Sequence, residues 1–127
     1  MSNAPTALFD PSVLPAALET SDADTLVSFY EMFILVTRDS WLQLGQSTLG
    51  PDMADVRSVA HKLKSSSASI GAMRLRDALL TLEQLAAKHI DSAPPVPEVS
   101  EQIDRTSLLI NASVNIVQAH IDSLKPR

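Results

Sequence analysis

A chain of 127 residues that is 45% hydrophobic but only 4% aromatic can bury one continuous core, built mostly of Leu, Val, Ile and Ala, which suits packed helices better than sheets. The absence of cysteine excludes disulfides and thiolate metal sites, and a formal net charge of -5 argues against a nucleic-acid partner, whose phosphates attract clustered cations. No apolar run approaches the roughly 20 residues that cross a bilayer, and residues 1–20 lack the basic and apolar stretches of a secretory leader, so an untargeted cytoplasmic protein without membrane contact is expected.

Pro5, Pro11 and Pro15 mark an irregular N-terminal arm over residues 1–20, with one short helix expected near Ser12 to Leu18. Ser21 or Asp22 can cap a first long helix that runs to about Leu44, before Gly45 and Gly50-Pro51 break it. Leu26, Tyr30, Phe33, Thr37, Trp41 and Leu44 recur along one face of it. Asp52 can cap the second, whose inward stripe is Val56, Val59, Ala60, Leu63, Ser67 and Ile70 and which ends in a tight turn at Gly71. The third, from Ala72 to about Ile90, presents Leu75, Leu79, Leu82 and Ala86, with Ala78 and Leu85 widening the stripe. Pro94, Pro95 and Pro97 then form a stiff connector. The last helix is expected from about Glu98 to Leu124, with Ile103, Ile110, Val117 and Leu124 at seven-residue steps and Ser107, Val114 and Ile121 between them. Four long amphipathic helices joined by short connections imply an all-α fold. Its simplest form is an antiparallel up-and-down four-helix bundle over residues 21–124, in a single domain of 1–127.

On a wheel of about 100° per residue, His61 lies roughly 140° from the centre of the second helix's apolar stripe, so its ring should face solvent. Ala54, Ser58, Ser65 and Ala68 surround it and are all small, leaving the imidazole above a low surface that another protein can approach. Lys64, one turn on, places a cation on the flank of that face, where it can interact with the oxygens of a phosphoryl group on the ring. His89 and His120 have neither the small neighbours nor the nearby lysine, and read as ordinary surface histidines. Phe29, Met32, Leu35 and Val36 form a second apolar face on the first long helix. It can pack against Leu14 and Leu18 of the arm or serve as a docking patch beside His61.

The stretch from His61 to Leu75, HKLKSSSASIGAMRL, resembles the signature of histidine phosphotransfer domains of two-component phosphorelays. In that family a His-x-Leu-Lys-Gly-Ser run is followed by a small residue, an apolar-Gly-Ala step and a Leu. The matching residues are His61, Leu63, Lys64, Ser66, Ile70, Gly71, Ala72 and Leu75, and Ser65 stands where the family usually has glycine. The resemblance implies a phosphocarrier rather than an enzyme. His61 takes a phosphoryl group from the aspartate of one response-regulator receiver domain and passes it to another, and a hybrid sensor kinase is a further partner. It also implies that Mg²⁺ sits in the receiver, so no cofactor is expected in this chain, and a monomer is expected. Family members often carry Gln or Glu within the step that matches Leu82-Glu83. Glu83 is thus the candidate to hold the second ring nitrogen of His61, with the adjacent Gln84 as the alternative. Two other roles stay open: a docking module that binds a receiver or kinase without transfer, and a domain phosphorylated directly by a chemotaxis-type kinase.

Overall fold

Two aspartates set where the long helices begin. In the computed structural model, which describes residues 7–45 and 50–126, Asp22 accepts from the Thr25 backbone N–H at 3.0 Å and Asp52 from that of Ala54 at 3.4 Å. Each carboxylate satisfies a donor that the first turn of a helix leaves free. The elements in order are α1 (Val13–Leu18), α2 (Ala23–Leu44), α3 (Met53–Ile70), α4 (Met73–Lys88) and α5 (Pro97–Leu124). There is no strand among the described residues. Pro5, assigned above to the arm, lies outside them.

Three boundaries differ from the sequence reading. α4 starts at Met73 rather than Ala72, which is its N-cap. α5 starts at Pro97 rather than Glu98, because the fixed φ of proline suits the first helical position, where its missing N–H is not needed. α4 ends at Lys88 rather than near Ile90, and His89 and Ile90 form the turn that leaves it.

The long helices pack in ring order, α2 on α3, α3 on α4, α4 on α5 and α5 back on α2. Cross-helix partners show the directions. Between α2 and α5, Tyr30 meets His120 and Trp41 meets Ser107; between α4 and α5, Ala78 meets Gln102 and His89 meets Glu98. Residue numbers rise on one helix as they fall on the other, so these neighbours are antiparallel. Leu63, Leu75, Leu79, Leu82, Val117 and Ile121 are wholly buried in the shared core. Each such aliphatic side chain contributes about 1.5–3 kcal/mol over leaving it in water. Among the described residues, no helix is long and apolar enough to cross a membrane.

The α3–α4 turn is closed by Gly71 at φ +91°, a left-handed conformation, and the N-terminal arm lies directly upon it. Asp10 donates its N–H to the Gly71 carbonyl at 3.0 Å. A Cβ on Gly71 would stand 2.3 Å from the Asp10 carbonyl oxygen, so glycine serves here both for conformation and for clearance. The arm is held a second time by Phe9, whose ring meets Tyr30 and His120 edge-on at 5.7 and 5.3 Å, while Tyr30 and His120 meet at 5.4 Å. His120 is therefore half-buried in an aromatic cluster, not an ordinary surface histidine. Beyond the arm, α1 packs on α3 and puts Leu14 in the core.

Candidate functional site

Helical spacing and an antiparallel partner build the site. Ala60 and Leu63 are fully buried on α3, which turns the intervening His61 outward, with 67% of its side chain exposed. Opposite, Leu82 and Ala86 pin the inner face of α4, which brings Glu83 to the seam between the two helices at 16% exposure. Glu83 bridges two residues of α3. Its Oε2 lies 2.6 Å from His61 Nδ1, and its Oε1 accepts from Lys64 Nζ at 2.6 Å. Gln84, the adjacent alternative, is exposed on the outer side of α4 and has no contact with the ring.

The Lys64 ammonium holds the Glu83 carboxyl below the usual glutamate range; partial burial opposes this, and the contact from His61 adds to it. Glu83 is thus ionised at neutral pH. A carboxylate can only accept, so the proton of this pair resides on His61 Nδ1 and the tautomer is set. When the ring is neutral Nε2 then carries the lone pair, and among the described residues that nitrogen has no hydrogen-bond partner. The arrangement presents a nucleophilic nitrogen to solvent while the opposite nitrogen is fixed by an anion.

Lys64 differs from the free flank cation read in the sequence. Its side chain is only 25% exposed, and its charge is engaged with Glu83. Ala54, Ser58 and Ser65 are exposed around His61, while Ala68 is half-buried. Ser65 Oγ turns back to the His61 carbonyl at 3.5 Å, a long contact that leaves the serine low against the helix. Phe29 and Met32 are 48% and 58% exposed. They border a hollow with Val36, Ser66, Ser69 and Ile70, so this part of the α2 patch adjoins the C-terminal half of α3 and the described residues of the arm do not line it, whereas Leu35 turns to a separate hollow beside Gln118 of α5. His89 Nε2 lies 2.8 Å from Glu98 Oε2, tying the end of α4 to the start of α5, and takes no part in the site.

Sequence reasoning passed over Arg57. It lines a groove with Ala54, Ser58, His61, Glu83 and Ile90, one turn before the histidine. The i, i+4 spacing was visible, but attention to small neighbours hid the cation among them. No group of three or more His, Cys, Asp or Glu side chains converges as a metal site would among the described residues.

A family model described as "Hpt domain" matches residues 28–120, which include all of α3 and α4. No curated protein and no solved structure matches the chain.

Proposed function

We propose, from the premise that this chain belongs to the Hpt domain family and so has a histidine phosphotransfer role in two-component systems, that His61 is the residue that carries the phosphoryl group, on Nε2. The observation that supports this most directly is the Glu83 carboxylate 2.6 Å from Nδ1, which leaves the other ring nitrogen as an exposed nucleophile.

In the forward step, the Nε2 lone pair attacks the phosphorus of an aspartyl phosphate on a response-regulator receiver domain. The N–P bond forms as the acyl P–O bond breaks, and its electron pair leaves with the receiver's carboxylate. In the neutral ring no proton has to depart, because Nδ1 holds the one proton and Nε2 the lone pair. The positive charge that develops on the ring is met at Nδ1–H by Glu83, whose acceptor strength Lys64 moderates. The reverse step hands the group to a second receiver. The chain supplies a positioned nucleophile and a docking face of Ala54, Ser58, Ser65, Ala68, Phe29 and Met32. Any Mg²⁺ that shields the phosphoryl charge belongs to the receiver. We expect a carrier without catalytic activity of its own.

The test is transfer of labelled phosphate from phosphorylated receivers. Label should enter the parent chain in an acid-labile, base-stable bond, as a phosphoramidate does, and should be absent from His61→Gln. His89→Gln and His120→Gln should label at the parental level. Label that persists in His61→Gln would assign the carrier elsewhere.

A further inference from the structure

The charge of the molecule is unevenly placed. α3 and α4 together carry six cations, Arg57, Lys62, Lys64, Arg74, Arg76 and Lys88, against three acids, Asp55, Asp77 and Glu83. The remainder of the chain holds four cations and twelve acids. An acidic protein thus presents a positive helix pair, and that pair bears His61. A positive field there draws in a phosphorylated, carboxylate-rich partner, while the acidic remainder repels it in other orientations.

Within this pair the cations are not equivalent. Lys64 is committed to Glu83 on the Nδ1 side of the ring. Arg76 is paired with Asp77 at 2.6 Å, and Lys88 lies 3.9 Å from Glu98 at the far end of α4. Lys62 Nζ turns toward Ser40 of α2. Arg57 and Arg74 are exposed and have no ion-pair partner among the described residues, and of the two it is Arg57 that borders the same groove as His61. Residues four apart on a helix stand about 5–6 Å apart at Cβ on one face, so the Arg57 side chain lies within reach of the His61 ring across the groove they share.

We propose that Arg57 is the cation that contacts the phosphoryl oxygens as the group moves to or from Nε2 of His61. This rests on His61 being the carrier. Guanidinium has the charge and the forked donors to grip two phosphoryl oxygens at once, and an unpaired one has no partner to surrender first. The division of labour is then spatial: Lys64 and Glu83 manage the proton at Nδ1, and Arg57 manages the charge at Nε2.

The experiment compares the parent with Arg57→Ala, Arg57→Lys and Arg105→Ala. The last removes an exposed cation of α5 and controls for net charge. Two readouts are taken: the single-turnover rate of transfer from a phosphorylated receiver across receiver concentrations, and the ³¹P titration midpoint of the phosphohistidine made with the small donor phosphoramidate. Arg57→Ala should lower the saturating rate about 10–100-fold, the size expected for losing one hydrogen-bonded contact to a charged group. It should also raise the ³¹P midpoint, because a cation beside the phosphoryl group favours its dianion. Arg57→Lys should recover part of both, and Arg105→Ala should change neither. An unchanged saturating rate and midpoint in Arg57→Ala would overturn the proposal. So would a change confined to the receiver concentration needed for half-saturation, since Arg57 would then act in docking alone. If the parent takes no phosphate on His61 from either donor, the carrier reading itself fails and this inference falls with it.

Discussion

Gly71→Ala measures how firmly the N-terminal arm is fastened to the bundle. At φ +91° an alanine is strained by about 1–2 kcal/mol. Its Cβ would stand 2.3 Å from the Asp10 carbonyl oxygen and 3.2 Å from Val13 Cβ, so the arm must move. Moving it breaks the 3.0 Å bond from Asp10 N–H to the Gly71 carbonyl, worth about 0.5–1.5 kcal/mol net. The total is a loss of about 1.5–3.5 kcal/mol. At roughly 3–6 °C per kcal/mol for a chain of this size, Tm should fall by about 5–20 °C in a calorimetric scan. The displaced arm should also take Phe9 away from His120, so the His120 ring signals should shift in NMR spectra. His61 lies ten residues back along α3, about 15 Å at 1.5 Å per residue, and its labelling should be retained in the folded variant. A Tm within 2 °C of the parent would mean that the arm does not rest on the α3–α4 turn, and the account of Gly71 would be withdrawn.

The other perturbations address the site. Lys64→Ala removes the first cause that depresses Glu83, so the Glu83 carboxyl should titrate higher than in the parent by ¹³C NMR; an unmoved titration would contradict the contact of Lys64 with Glu83. Because the folded-state pKa of Glu83 is lowered, its contribution to stability is complete above the ordinary glutamate value of about 4.3 and is lost as pH falls through the depressed one. The stability gap between parent and Glu83→Gln should therefore close across that acid window in urea melts, and a gap that stays constant to the lowest pH would show that ionised Glu83 is not its source. Ser65→Gly should melt slightly lower, by about 0.5 kcal/mol of helix propensity, and transfer phosphate at least as well as the parent. Ser65→Leu should fold normally but transfer poorly, since bulk one turn after His61 would hold a receiver's aspartate away from Nε2; parental transfer by that variant would place the docking face elsewhere.

How much of this was legible in the sequence depended on the range of the interaction concerned. Caps, stripes and breaks are local, so Asp22, Asp52, Gly71 and most of the inward faces of α2, α3 and α4 could be read from spacing alone, whereas α5 also buries Val99, Thr106 and Ser113 and leaves Ile103, Ser107 and Leu124 half-buried. The pairing of His61 with Glu83 was reachable because both flank one short turn, and two helices leaving such a turn run back antiparallel. The engagement of Lys64 was not reachable. Which acid a flexible lysine meets depends on interhelix distances that no periodicity encodes. His120 was misjudged for a similar reason, since its environment is made by Phe9, more than a hundred positions away, once the arm folds back over the bundle. Arg57 was hidden in a different way: an exposed arginine on a helix is ordinary until its neighbours are known to be otherwise engaged.

The two-oxygen grip of Glu83 carries a thermodynamic obligation. One carboxylate is shared by the ring that would carry phosphate and by an ammonium on the same helix, while its own backbone belongs to the next helix. If phosphorylation at Nε2 strengthens the pull of Nδ1–H on Oε2, it must tighten the seam between α3 and α4, and by reciprocity whatever tightens that seam must favour the phosphorylated form. A partner that grips both helices would then shift the equilibrium toward the phosphohistidine without touching phosphorus, and one that pries them apart would shift it away. The chain would in this way report its load through the rigidity of a helix pair as well as through the chemistry of one nitrogen.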